Sequence, residues 1–173
     1  VEKSANIRQA AHDIVMSKSF DNGMVCASEQ AVIIDKEVYD EFVEEFKSYH
    51  TYFVNKKEKA LLEEFCFGAK ANSKNCAGAK LNPDIVGKPA TWIAEQAGFS
   101  VPEDTNILAA ECKEVGEKEP LTREKLSPVI AVLKSESRED GVEKARQMVE
   151  FHGLGHSAAI HTADEELTKE FGK

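Results

Sequence analysis

Cys26 stands in the run Phe20-Asp21-Asn22-Gly23-Met24-Val25-Cys26-Ala27-Ser28-Glu29-Gln30, between an amphipathic stretch and a short β-branched one. A thiol at such a junction can line a cleft, because helix–strand connections of α/β proteins border the places where ligands bind. Gly23 lets the chain reverse, and Ala27 and Ser28 leave space around the sulfur for a substrate. Backbone N–H groups after Gly23, if aimed at the sulfur, would favour the thiolate, the form that attacks carbonyl carbon. The plain alternative is a small buried hydrophobe, a common fate of an unpaired cysteine.

Cys66, Cys76 and Cys112 follow Cys26 at intervals of 40, 10 and 36 residues, and none lies in a C-x-x-C or other zinc-type arrangement. No metal site is expected, and reduced thiols are the better reading for a chain with enough apolar residues to do without disulfides. Among the five histidines, His152, His156 and His161 are close in sequence but are not paired with Cys or Glu at ligand spacing on one helix. His156 follows Gly153-Leu154-Gly155 and enters an apolar run, where its imidazole either faces a cleft or bonds to nearby backbone. Glu124 precedes the run that starts at Pro128, and taken alone it is one solvated acid among 31.

The elements that must position these groups follow from periodicity. Apolar spacing predicts helices over 4–20, 37–49, 56–67, 91–97 and 137–151, with a last helix starting at Asp164. Short β-branched or apolar runs predict strands at 31–34, 107–110, 129–133 and 157–161. The Gly-, Asn- and Lys-rich stretch 68–83 predicts a surface connection, with a helical turn in part of it as the alternative. Alternation of strand and helix gives an α/β fold, with a mostly parallel sheet covered by helices.

A chain of 173 residues holds one core, and 42% apolar residues supply it. The 22 basic and 31 acidic residues give 22 − 31 = −9, without a basic cluster to neutralise phosphates, so nucleic acid and anionic membranes are excluded as expected partners. No apolar run approaches the ~20 residues of a membrane span, and the N-terminus has no basic-then-apolar leader, so a cytoplasmic location is expected. The chain begins with Val1 and is soon helical, which suggests a piece of something longer. Neither G-x-G-x-x-G nor G-x-x-x-x-G-K-[ST] occurs, so a nucleotide would be held mostly by sequence outside these residues.

The run 17–30 resembles the nucleophile segment of the CoA-acylating aldehyde dehydrogenases, and most closely that of the bifunctional aldehyde-alcohol dehydrogenases. Three more blocks carry the resemblance in order: Ile85-Val86-Gly87 through Ile93-Ala94 to Ala97-Gly98-Phe99-Ser100-Val101-Pro102, Glu124-Lys125-Leu126-Ser127-Pro128, and Gly153-Leu154-Gly155-His156. Together they cover nearly the whole chain. The resemblance implies that residues 1–173 are the thiol-bearing catalytic domain, a three-layer α/β/α fold, with the nucleotide-binding domain and the iron-dependent alcohol dehydrogenase domain lying elsewhere.

It also implies roles. Cys26 would attack an aldehyde, the thiohemiacetal would give hydride to NAD, and the thioester would pass to coenzyme A as substrate. Glu124 would bind the nicotinamide ribose hydroxyls, since a carboxylate accepts two hydrogen bonds. His156 would orient the thioester or assist the thiol of coenzyme A, because imidazole titrates near working pH. Relatives often have His where this chain has Arg123, and read Gly-His-Thr where it has Gly155-His156-Ser157. Iron is implied only for the absent domain. The isolated piece is expected to lack useful turnover, and the full protein to form a homo-oligomer or filament. The alternatives are a monofunctional CoA-acylating enzyme, or a piece acting mainly in assembly. The stretch 70–80 is expected as a solvated loop, or as a contact to a neighbouring subunit or to coenzyme A phosphates.

Overall fold

Helix α1 (Ile7–Ser19) begins where the Asn6 side chain accepts the Gln9 N–H, and its stripe of Ile7, Ala10, Ala11, Ile14 and Val15 is buried. A tight turn at Phe20–Gly23 leads to strand β1 (Ala31–Asp35), then helix α2 (Tyr39–Ser48) and the short strand β2 (Thr51–Phe53). Helix α3 (Lys56–Phe67) starts on a capping box in which Asn55 and Glu58 satisfy each other's backbone N–H groups. Helix α4 (Ala90–Ala97) stops at Gly98, which is left-handed at φ 94°. Strands β3 (Ile107–Cys112) and β4 (Val129–Ser135) follow, then α5 (Arg138–His152) and α6 (Glu165–Phe171), capped by Asp164. The computed structural model describes residues 1–68 and 79–172.

The strands form one sheet in the order β1-β4-β3-β2, with every pairing parallel. Alternate residues of each strand serve opposite layers, as the pleat requires. Ile107, Ala109, Ile130, Val132, Val32 and Ile34 pack against α1 and α2. Leu108, Ala110, Val129, Ala131 and Leu133 pack with Leu62 of α3 and Ile93 of α4. Both faces are therefore covered, and the strands read as continuous apolar runs. Each fully buried Leu, Ile or Val here stabilises the fold by about 1.5–3 kcal/mol. The three-layer α/β/α architecture with a parallel sheet is thus the fold adopted.

Two elements differ from the sequence expectation. β2 was not anticipated, because three residues at a sheet edge leave no periodic trace. Residues 157–161, expected as a strand, join no ladder. A cavity separates them from β1, and the bond that ties them to a neighbouring extended segment is Glu2 N–H to His161 C=O at 3.0 Å. The expectations for 70–80, and Cys76, fall almost entirely outside the described residues. Among the described residues no helix is long and apolar enough to cross a membrane.

Candidate active site

The cavity between β1, α5 and residues 153–161 has a volume of about 250 Å³, and Cys26, Glu124 and His156 all line it. Cys26 lies before β1, Glu124 before β4, and His156 in the chain that follows α5. Cys26 and Glu124 thus approach from the amino ends of their strands, and His156 lines the same cavity from the segment after α5. Open α/β sheets usually bind ligands outside the carboxyl ends, so this site uses the opposite rim. Cys26 and His156 are exposed and Glu124 is half-buried.

The nucleophile loop is locked to two other loops. Asp21, Asn22 and Gly23 all take positive φ, which folds the chain sharply after α1. A side chain at Gly23 would lie 2.5 Å from the Ser127 carbonyl oxygen, so glycine is required both by φ of +68° and by this close approach. Asn22 Nδ2 donates to Gly87 C=O at 3.0 Å, and Gly87 N–H donates to Leu126 C=O at 3.1 Å. The Cys26 loop, the turn at Val86–Gly87 and the Glu124 loop are therefore tied to one another by hydrogen bonds and close packing. Three of the four similar blocks meet here, which accounts for their co-occurrence along the sequence.

Lys125 is the main fastener, a role that its place in a polar stretch of sequence does not signal. It is fully buried, and its Nζ donates to the carbonyls of Gln30 (3.0 Å), Leu121 (2.6 Å) and Arg123 (2.7 Å), while its N–H donates to Gln30 Oε1 at 3.0 Å. This ties the Glu124 loop to the end of the Cys26 loop. Burial pushes the Lys125 ammonium down to about 8, and the three carbonyls remain good acceptors for its protons. Lys18, at the end of α1, is also fully buried, and its Nζ has no hydrogen-bond partner among the described residues. Burial, aided by the nearby Lys125 charge, lowers its pKa well below the ordinary lysine range. A sequence signal existed for Lys18, since it continues the α1 stripe four residues after Ile14.

Arg123 is engaged structurally. Its guanidinium lies 5.2 Å from the centroid of the Phe151 ring of α5 and pairs with Glu117 at 3.5 Å. The Glu124 carboxylate, by contrast, accepts no hydrogen bond from the described residues. It is left to accept from a ligand entering the cavity.

Environment separates the described thiols. Cys66 and Cys112 are buried under α3 and in β3, and burial pushes each thiol up to about 12. Cys26 is exposed on the cavity. The Met24 N–H donates to Asp21 C=O at 3.1 Å and the Ser28 N–H to Val25 C=O at 2.9 Å. Those two N–H groups therefore serve the turn rather than the sulfur. What brings Cys26 forward is the shape of the loop. His156 N–H closes a turn onto Gly153 C=O at 2.9 Å, leaving the imidazole exposed on the cavity wall. His12 pairs with Asp13, and His50 with Asp104, away from the cavity. Among the described residues no group of three His, Cys, Asp or Glu could hold a metal ion. An accessible thiol, an imidazole and an unpaired carboxylate around one cavity suit covalent acyl chemistry.

Comparison with known proteins identifies the family. All 173 residues match the aldehyde dehydrogenase family. The chain is 94% identical, over its whole length and 20% of the relative's, to the aldehyde-alcohol dehydrogenase of Streptococcus pneumoniae serotype 4. It is 60% identical over 171 residues, 99% of this chain and 20% of the relative, to aldehyde-alcohol dehydrogenase 2 of Entamoeba histolytica. Among solved structures, an acetylating aldehyde dehydrogenase from Geobacillus thermoglucosidasius superposes with a TM-score of 0.90 at 38% identity, covering 98% of this chain and 36% of that one. The chain thus spans about a fifth of the length of these curated relatives. Fold, loop architecture and similarity together place the chain in the aldehyde dehydrogenase family.

Proposed function

We propose that this chain is the thiol-bearing catalytic domain of a CoA-acylating aldehyde dehydrogenase, within a longer bifunctional aldehyde-alcohol dehydrogenase. The observation that carries the reading is the exposed Cys26 sharing one cavity with Glu124 and His156. The names of the relatives support both halves, one set being aldehyde-alcohol dehydrogenases and another acetylating aldehyde dehydrogenases.

Cys26 acts as nucleophile. Its thiolate adds to the aldehyde carbon, the C–S bond forms and the carbonyl oxygen becomes an alkoxide held as a thiohemiacetal. A nicotinamide cofactor, when bound, accepts the hydride that leaves this carbon. The product is a thioester on Cys26. The thiol of coenzyme A then loses its proton to His156 and attacks the thioester carbon, and Cys26 departs as thiolate. A thioester exchanges readily with a second thiol, so the acyl group's activation is retained. The residues fit the cofactor at one edge only. Glu124 has free acceptor capacity for the two hydroxyls of a ribose, but the chain has no Gly-rich phosphate loop, so the remainder of that site belongs to other parts of the protein. The 173 residues alone therefore turn over no aldehyde.

The test uses the full-length protein and NAD-linked acetaldehyde oxidation in the presence of coenzyme A. Cys26→Ser lowers the rate by about 1,000-fold or more, because an alcohol is a far poorer nucleophile than a thiolate. Cys66→Ser and Cys112→Ser, which alter buried thiols, leave kcat within about threefold. A Cys26→Ser enzyme with wild-type turnover would overturn the proposal.

A further inference from the structure

The inner stripe of α1 runs Ile7, Ala11, Ile14 and then Lys18, in steps of four, three and four, and all four side chains are buried. A leucine or methionine at the last of these positions would pack freely, whereas an amine withdrawn from water is costly unless it is neutral or paired. Lys18 is fully buried, and its Nζ has no hydrogen-bond partner among the described residues. Packing therefore gives no reason for a lysine at this position.

The backbone fixes where that amine lies. The Lys18 carbonyl oxygen stands 3.0 Å from the point that a side chain at Gly23 would occupy, and the Ser127 carbonyl oxygen stands 2.5 Å from the same point. The end of α1, the Cys26 loop and the segment 124–128 thus meet at Gly23. The charges that act on the Lys18 amine are those of Lys125, Glu29 and Glu124. Lys125 is committed to three backbone carbonyls. Among the described residues, Glu29 Oε2 is buried without a partner, and the Glu124 carboxylate accepts no hydrogen bond.

Of the two acids, Glu124 has its backbone held on both sides. The Arg123 carbonyl accepts from Lys125 Nζ at 2.7 Å, and the Lys125 N–H donates to Gln30 Oε1 at 3.0 Å. Only the carboxylate of Glu124 is left to be placed. Of the two lysines buried near it, Lys125 is engaged and Lys18 is not.

We propose that Lys18 is a positioning residue for Glu124: its buried amine directs the Glu124 carboxylate to the place where it accepts from the ribose hydroxyls of the nicotinamide cofactor. The inference rests on the role given to Glu124 above. A glutamate side chain loses rotamer freedom when it grips a ligand, and an amine that orders it beforehand lessens that cost. Hydrogen bonds of this kind are often long before the ligand arrives and tighten in the complex. The lowered pKa of Lys18 suits the role, since a neutral amine donates an N–H without placing a second full charge beside Lys125. Burial also keeps the amine beneath the site, where it supports the carboxylate without meeting the cofactor.

The test uses the full-length protein and a reading local to the Cys26 cavity: the NADH concentration that halves the rate of Cys26 alkylation by iodoacetamide, measured by peptide mass spectrometry. Glu124→Ala raises that concentration about 30-fold and Lys18→Met about 10-fold, whereas Lys18→Met added to Glu124→Ala raises it less than about twofold further, because its target is gone. Lys18→Gln, which keeps an N–H donor, stays within about threefold of wild type. An unchanged or lowered concentration in Lys18→Met, a full 10-fold effect on top of Glu124→Ala, or a Lys18→Gln protein as weak as Lys18→Met would overturn the assignment. Acetylation of Cys26 by acetyl-CoA, which needs no nicotinamide cofactor, reports the fold, and its loss in Lys18→Met would assign Lys18 to the fold instead. The reading of Glu124 fails separately, and this inference with it, if NADH does not slow alkylation of the wild-type protein or protects Glu124→Ala equally well.

Discussion

On the β3–β4 side of the sheet, Ile107 to Ala110 and Val129 to Leu133 are all at most 1% exposed, and α3 and α4 complete the layer above them. On the β1 side, helix α5, whose Val142, Ala145, Met148 and Val149 line it, and residues 157–161 border an open cavity, and none of their described residues is fully buried. The flanks differ in composition, α5 carrying many charged residues and α4 only Glu95, and in pairing, since β3 and β4 each have strands on both sides whereas β1 lies at the sheet edge. Closure follows partners, and the thiols divide in the same way: Cys66 and Cys112 lie on the closed flank and Cys26 on the open one.

The largest contrast between the flanks is chemical. At pH 8 a thiol with a pKa of about 12 is ionised to about one part in ten thousand. Iodoacetamide therefore alkylates Cys26 about 1,000-fold faster than Cys66 or Cys112, as read by peptide mass spectrometry of the native chain. Comparable labelling of all three would erase the distinction between a reactive and a packing cysteine.

Packing gives the next contrast. Ile130→Ala removes a side chain from the closed core and lowers unfolding free energy in urea by about 3 kcal/mol. Val142→Ala, on the half-buried face of α5, costs less than about 1 kcal/mol in the 173-residue chain. Equal costs in the short chain would show that α5 is already a closed layer.

The smallest effect is a pH dependence set by the fastener between the loops. The folded-state pKa of Lys125, about 8, lies below the ordinary value of 10.5, so between these values the unfolded chain binds more protons than the native one. Stability therefore rises with pH in that window, by on the order of 1 kcal/mol between pH 8 and 9. Lys125→Met removes the Lys125 share of this rise, and the share from buried Lys18, whose pKa is lowered in the same direction, remains. From about pH 8 upward the raised thiols of Cys66 and Cys112 act oppositely, since the native state then holds more protons than the unfolded one, so the Lys125 contribution is read as the difference between wild type and the Met variant. A wild-type stability that is flat or falling between pH 8 and 9, relative to the Met variant, would contradict the burial assigned to this ammonium.

Much of the frame was legible because its signals are local. The stripes of α1 to α4 and the β-branched runs of β1, β3 and β4 encode their elements directly. β2 was hidden because three residues carry no period. Residues 157–161 were misread for a different reason: strand propensity is realised only by pairing, and propensity alone does not supply the partner. Within the site, motif similarity led to Cys26, Glu124 and His156, which line one cavity. It did not lead to Lys18 and Lys125, because a lysine in a polar block looks solvated until tertiary structure buries it. Gly23 was understood as a turn, but its 2.5 Å approach to the Ser127 carbonyl depends on a contact more than 100 residues away in sequence.

The central claim is that Cys26 carries the acyl group. Incubating the full-length protein with acetyl-CoA, without reduced nicotinamide cofactor, and mapping the adduct by mass spectrometry tests this directly. An acetyl thioester on Cys26, lost on addition of free coenzyme A, is the predicted result. A protein that stays unmodified, or that carries the acetyl group on another cysteine, would contradict it.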